Sequence, residues 1–275
     1  MISKTLMGVK FFDDHFGGVY NGRSVLISGR KGVGKTVVGL QFLRQGLQMD
    51  ERCMMLSTMS SKDFSIYSVS SGFDMQQEVE NGRLILLEYR DFVPEYGFSE
   101  GNMLPPDGFD QLRSIIESNM IHRVVIDTVL PLVAISTVDR MHEHVFSFVR
   151  FLDRLNVTVL MTIPKPVSPM ALRLKKTLED MVTVSCILAP GEGEGVFTWQ
   201  TVKYFGERKL VSPISYTVCP GKGLVVYNPA DTSARAPSAA PPARNLSHVS
   251  TADKGDWAGS AAAKAPEHHG LPDDM

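Results

Sequence analysis

Gly29-Arg30-Lys31-Gly32-Val33-Gly34-Lys35-Thr36 is the stretch of this 275-residue chain whose residue types and spacing point to a definite chemistry. It fits the pattern G-x-x-x-x-G-K-[ST], in which each fixed position has a mechanical reason. Gly29, Gly32 and Gly34 let the backbone take left-handed conformations and turn its N–H groups inward around phosphates. Lys31 and Val33 belong to the same phosphate-facing run. A helix after the loop points its positive end at the same anion. Lys35 is placed to reach the β- and γ-phosphates, and the Thr36 hydroxyl to ligate Mg²⁺. The pattern also arises by chance, but here the strand-like run Ser24–Ser28 precedes it and a helical stretch follows. A second oxygen on the magnesium side should close a nearby buried strand. His122-Arg123-Val124-Val125-Ile126-Asp127 is an apolar run ending in one carboxylate, so Asp127 is expected to hold the metal through water. The competing reading is an ordinary strand-end aspartate that caps the following turn.

The elements that must position these groups are legible as alternating runs. Ser24–Ser28, Cys53–Ser57, Leu84–Leu87, Val124–Asp127 and Val157–Thr162 read as buried strands. Thr36–Leu47, Phe109–Asn119 and residues 139–155 carry helical spacing, the last with Val145, Phe148, Val149, Leu152 and Leu155 on one face. Strand alternating with helix predicts a mostly parallel sheet flanked by helices. After Val182 the texture changes to strand-like runs at Val182–Leu188, Val196–Val202, Ile214–Val218 and Leu224–Tyr227. Gly191-Glu192-Gly193-Glu194-Gly195 is the turn signal of a hairpin there, so an antiparallel β extension is expected. From Pro229 onward Ala, Pro, Ser and Gly dominate, and residues 229–275 read as a disordered tail in which Trp257 is the exception, the one Phe, Trp or Tyr. The expected domain is therefore 1–228.

Composition excludes several classes. A net charge of −2 gives no global pull towards nucleic acid or anionic lipid. The 3 cysteines, Cys53, Cys186 and Cys219, lack metal-ligand spacing and read as reduced, mostly buried residues. The first residues carry no apolar stretch of signal length, and no run approaches the roughly 20 apolar residues that cross a bilayer. A cytoplasmic protein without membrane contact is expected.

Residues 8–36 resemble the opening of a KaiC-like module of the RecA-like ATPases: Gly17-Gly18 leads into the first strand, the loop and a helix carrying Gln41-Phe42-Leu43. Arg123–Asp127 resembles the family's second nucleotide motif. Thr201-Val202-Lys203-Tyr204-Phe205-Gly206 stands where the family has a strand ending in Lys-x-Arg-Gly. The resemblance covers about residues 8–210 and implies a RecA-like fold, ATP with Mg²⁺ as cofactors, and a homo-oligomer with nucleotide held between subunits. In such an assembly Lys203 would reach a neighbour's nucleotide. Two departures bear on hydrolysis. The family carries one or two water-positioning glutamates after the second strand, where this chain has Thr58-Met59-Ser60, and Phe205 holds the position of the reaching arginine. A lost carboxylate of this kind removes roughly 10²–10⁴ in rate and a lost arginine finger on the order of 10³–10⁵. Glu88 or Asp91 after the third strand are the candidates to substitute. The expectation is a regulatory or scaffolding nucleotide binder with weak hydrolysis; the rival is an active ATPase.

Weaker signals lie elsewhere. The 163–177 stretch carries Lys165, Arg173, Lys175 and Lys176, and by the resemblance it is a loop that could meet single-stranded DNA. It lacks interleaved aromatics, and Pro164, Pro166 and Pro169 stiffen it, so a solvated basic face is the preferred reading. His142 and His144 are two residues apart and share no helix face; both are expected on the exposed side of the 139–155 helix rather than on a metal. Met54, Met55 and Met59 read as core filling.

Overall fold

The computed structural model describes residues 3–89, 106–133, 138–208 and 211–229. A short ribbon of β1 (Lys4–Thr5) and β2 (Val19–Tyr20) encloses α1 (Lys10–Phe16) and leads into β3 (Ser24–Gly29) and α2 (Lys35–Gln48). Then follow β4 (Cys53–Ser57), α3 (Ser61–Ser70), α4 (Gln76–Glu80), β5 (Leu84–Glu88), α5 (Pro106–Ser118), β6 (Arg123–Asp127), α6 (Leu130–Val133) and α7 (Val138–Arg154). The order closes with β7 (Thr158–Pro164), α8 (Pro169–Met181), β8 (Val184–Pro190), β9 (Phe197–Tyr204), β10 (Ile214–Cys219) and β11 (Gly223–Val226).

One 9-stranded sheet runs β11-β10-β9-β8-β3-β7-β6-β4-β5. From β8 to β5 every pairing is parallel, whereas β8–β9, β9–β10 and β10–β11 are antiparallel. The expected α/β sheet with an antiparallel C-terminal extension is thus present. Why the strands read as unbroken apolar runs is visible in their alternation. Val25 and Ile27 of β3, Val125 of β6 and Met55 of β4 enter one core together with Val38 and Phe42 of α2. Leu26, Val124, Ile126 and Met54 enter a second core with Leu112 of α5, Phe148 of α7 and Leu178 of α8. Both faces of the parallel part are covered, so its strands are dominated by apolar residues on both faces.

Several elements differ from the sequence expectation. Helix α3 is unforeseen because its Ser-rich sequence blurs the apolar stripe; its start is fixed by Ser60, whose side chain accepts from the Asp63 amide at 3.1 Å. The 163–177 stretch is not a single loop: Pro169 occupies the first turn of α8 and Ser168 caps it through the Ala171 amide at 3.2 Å. Arg173, Lys175 and Lys176 are therefore helical, and Lys175 pairs with Glu179 one turn on. His144 is buried, not exposed, with Nε2 at 2.8 Å from the Leu132 carbonyl oxygen. His142 is exposed as expected, and no group of three potential metal ligands forms among the described residues. Cys53 and Cys186 are buried and burial pushes both thiols up to about 12, which suits inert core residues. No described helix is long and apolar enough to cross a membrane. Residues 230–275, which contain nearly all of the expected tail, and Asp91 lie outside the described residues.

Candidate nucleotide site

The loop joins the end of β3 to the start of α2 at the carboxyl edge of the parallel strands. At Gly29 the backbone lies so close to β8 that a Cβ would meet the Leu188 oxygen at 2.5 Å. Gly34 caps α2 with φ of 93°, a left-handed conformation that side chains rarely adopt. No side chain among the described residues caps this end of α2; its first-turn N–H groups and helix dipole can meet an anion. Lys31 is exposed at the rim, and buried Val33 anchors the loop through its carbonyl, which accepts from the Tyr216 hydroxyl at 2.6 Å. The Lys35 ammonium folds onto the loop, donating to the carbonyls of Gly29 at 3.0 Å and Arg30 at 2.8 Å. Burial lowers its pKa from the ordinary lysine value, and the Asp127 carboxylate opposes that shift.

Topology supplies the metal side. Strand β7 lies between β3 and β6, so the loop and Asp127 are separated by one strand at the same edge. The gap is bridged by side chains: Thr36 Oγ1 donates to Asp127 Oδ2 at 2.8 Å, and Thr162 at the end of β7 donates to Oδ1 of the same carboxylate. Thr36 and Asp127 thus form an oxygen pair of the kind a hard divalent cation takes, and both are only partly buried. They fit Mg²⁺, whose chemistry there would be charge neutralisation between two phosphates. Thr162 and the order of strands that brings it here have no motif signal.

Two walls flank the loop. Helix α3 stands on one side, and the β10–β11 hairpin on the other. The hairpin crosses to α3: Gly221 donates its amide to the Ser71 oxygen at 2.8 Å, and Arg44 of α2 holds the Gly221 oxygen at 2.8 Å. Gln41 fastens its base, donating to the Lys222 oxygen at 3.3 Å and accepting from the Leu224 amide at 3.0 Å. Between the walls lies a cavity of about 350 Å³, lined by Gly32, Lys35, Thr36, Tyr67, Phe197 and Val218 among others. Burial raises the Tyr67 phenol above its ordinary value, so the group is a neutral donor at pH 7.

A family model described as the KaiC ATPase matches residues 5–213. The chain belongs to the KaiC ATPase family. It is 36% identical over 126 residues to the circadian clock oscillator protein KaiC of Prochlorococcus marinus (strain MIT 9313), covering 45% of this chain and 23% of that protein. It is 30% identical over 173 residues to KaiC of Acaryochloris marina (strain MBIC 11017), covering 58% and 31%. To the circadian clock protein KaiC3 of Synechocystis sp. (strain ATCC 27184 / PCC 6803 / Kazusa) it is 24% identical over 151 residues, covering 54% and 28%. The chain spans less than a third of the length of these relatives.

The two KaiC-family positions that depart in this sequence can now be placed. Strand β4 ends in buried Ser57, followed by exposed Thr58 and by Met59, which packs against the core. Ser57 pairs with Asp127 on one side and with Glu88 on the other, so Glu88 stands level with Asp127 two strands away. Its Oε1 accepts from the Ser61 amide at 3.0 Å, at the start of α3. Lys203 lies at the opposite edge of the sheet, since β9 runs antiparallel to β8 and Lys203 pairs with Ser185. Its ammonium closes the end of α8, donating to the oxygens of Glu179 at 2.8 Å and Asp180 at 2.9 Å. Phe205, beside it, is exposed.

Proposed function

We propose that this chain binds ATP with Mg²⁺ and acts as a slow nucleotide switch or scaffold in the cytoplasm, assembling with copies of itself so that nucleotide lies between subunits. The observation that carries the reading is a contrast at one sheet edge. The reading is supported by the uncapped start of α2, by Lys35 on the loop and by the Thr36–Asp127 pair, the groups expected to grip phosphate and metal. The end of β4, where the family resemblance puts water-activating carboxylates, holds Ser57, Thr58 and Met59. Gripping groups stabilise ground and transition states alike and so give affinity without rate. Lys203 at the far edge would serve a neighbour's phosphates on giving up its contacts with α8, and exposed Phe205 would supply apolar contact where an arginine would supply charge.

The level position of Glu88 favours one second reading, an active ATPase in which Glu88 orients the water from the next strand. Mass measurement of the full chain with and without Mg-ATP, run beside a turnover assay, tests both. The switch reading expects binding, a nucleotide-dependent change in mass and very slow turnover. Brisk turnover that vanishes in Glu88→Gln establishes the ATPase, and absence of nucleotide binding rejects both.

A further inference from the structure

Tyr67 is a half-buried tyrosine on α3 whose hydroxyl is not spent on the backbone. Tyr20, Tyr89, Tyr204 and Tyr216 each donate to a main-chain oxygen, those of Phe205, Thr128, Gly18 and Val33. The Tyr67 ring packs against the core, while its hydroxyl lies beside the side chains of Thr36 and Ser71 and within the field of Asp127. It faces the cavity from the wall opposite the loop. A hydroxyl kept over a phosphate cradle, next to the metal-side threonine, has a ligand oxygen as its natural acceptor.

We propose that Tyr67 is a recognition residue for the terminal phosphate of a nucleoside triphosphate, donating a hydrogen bond from α3 to the phosphate–magnesium group held by Lys35, Thr36 and Asp127. Loop amides would embrace a phosphate seated at the start of α2, which would present the outer phosphate to α3 across the cavity. Ser71, at the carboxyl end of α3, is the residue that accepts from Gly221 of the β10–β11 hairpin. A triphosphate held by Tyr67 therefore tightens the same helix that the hairpin leans on. A diphosphate leaves Tyr67 only the neighbouring Ser71 and Thr36 hydroxyls in place of a phosphate oxygen. The inference rests on the nucleotide-binding reading above.

The test is calorimetric titration of the full chain with Mg-ATP and Mg-ADP, comparing wild type with Tyr67→Phe, alongside the melting temperature of the nucleotide-free proteins. Tyr67→Phe keeps the ring and removes only the donor. The expected result is an unchanged melting temperature, about a tenfold or greater loss of Mg-ATP affinity and a smaller loss for Mg-ADP. Unchanged affinity for both nucleotides overturns the proposal, as does a lowered melting temperature with affinity intact, which would make the hydroxyl structural. Equal losses for both overturn the terminal-phosphate assignment. A wild-type protein that binds neither nucleotide overturns the nucleotide reading itself and this inference with it, a different outcome from binding that is insensitive to Tyr67.

Discussion

The carboxyl edge of the sheet divides into two regions that were built to different ends. On the β3–β7–β6 side, side chains reach across strands to one another: Thr36 and Thr162 both donate to Asp127, and Lys35 folds over the loop beside them. On the β4–β5 side, Ser57 and Glu88 bond the segment that leads into α3. Ser57 Oγ accepts from the Met59 amide at 3.0 Å, and Glu88 serves the start of α3. In the first region the bonds converge on one carboxylate, in the second on the start of α3. On the proposed reading, the difference separates holding a phosphate from attacking it, which need different groups in different places.

The largest expected effect strikes the first region. Lys35→Ala should lower Mg-ATP affinity on the order of a hundredfold or more, because the ammonium serves the phosphates through charge-assisted hydrogen bonds. Its melting temperature should stay close to that of wild type, since the Lys35 bonds among the described residues go to loop carbonyls. Calorimetry and thermal melts check both halves; unchanged affinity would remove the loop from the site. The second region is probed by turnover. Wild-type protein should hydrolyse Mg-ATP well below the roughly 1 s⁻¹ at the low end of typical enzymes. Combining Thr58→Glu, Met59→Glu and Phe205→Arg should raise turnover by about tenfold or more while changing affinity less. A variant that binds more tightly but turns over no faster would erase the distinction between the two regions.

A smaller effect tests the bridge between α3 and the β10–β11 hairpin. Gly72 has φ of 75°, and a Cβ there would meet the Gly221 nitrogen at 2.2 Å. Gly72→Ala should cost about 1–3 kcal/mol of stability, combining left-handed strain with displacement of the hairpin. Chemical denaturation measures this, and a neutral variant would show that the hairpin–α3 contact is incidental. The smallest effect belongs outside both regions. Deleting residues 230–275 should leave the melting temperature nearly unchanged, because that Ala/Pro-rich composition has little apolar surface to bury. A drop of many degrees would show that the segment packs.

How far the sequence foretold these regions follows from the kind of signal each one uses. The strands of the sheet were legible because burial on both faces demands continuous apolar runs, and Asp127 was legible as the polar end of one. The loop was legible because phosphate binding by backbone amides constrains residue type at each position. Thr162 was invisible, since its role depends on β7 slotting between β3 and β6, a matter of strand order rather than of local pattern. Tyr67 was hidden for a related reason: serines at positions 61, 65, 68 and 70 flatten the periodicity of α3, so neither the helix nor its facing side was apparent. His144 was misplaced because a histidine beside exposed neighbours gives no hint of a carbonyl waiting on α6. Pro169, read as stiffening a loop, instead starts a helix, a position proline occupies without loss of a hydrogen bond.

The hairpin wall has a consequence for how the molecule comes into being. The phosphate loop is complete in the growing chain once Thr36 has emerged, but its anchor Tyr216 and the Gln41 partner Leu224 come last. At about 5–20 residues per second of synthesis, the earliest and latest parts of the pocket are made roughly 10–40 s apart. Until then Gln41 lacks its hairpin partners, and Val33 offers its carbonyl to no hydroxyl. Contacts of such long sequence separation also form late in folding, because closing a long loop is costly before its contacts can reward it. The nascent protein therefore carries a recognisable phosphate motif well before it has a nucleotide pocket, and ligand can stabilise only the finished chain.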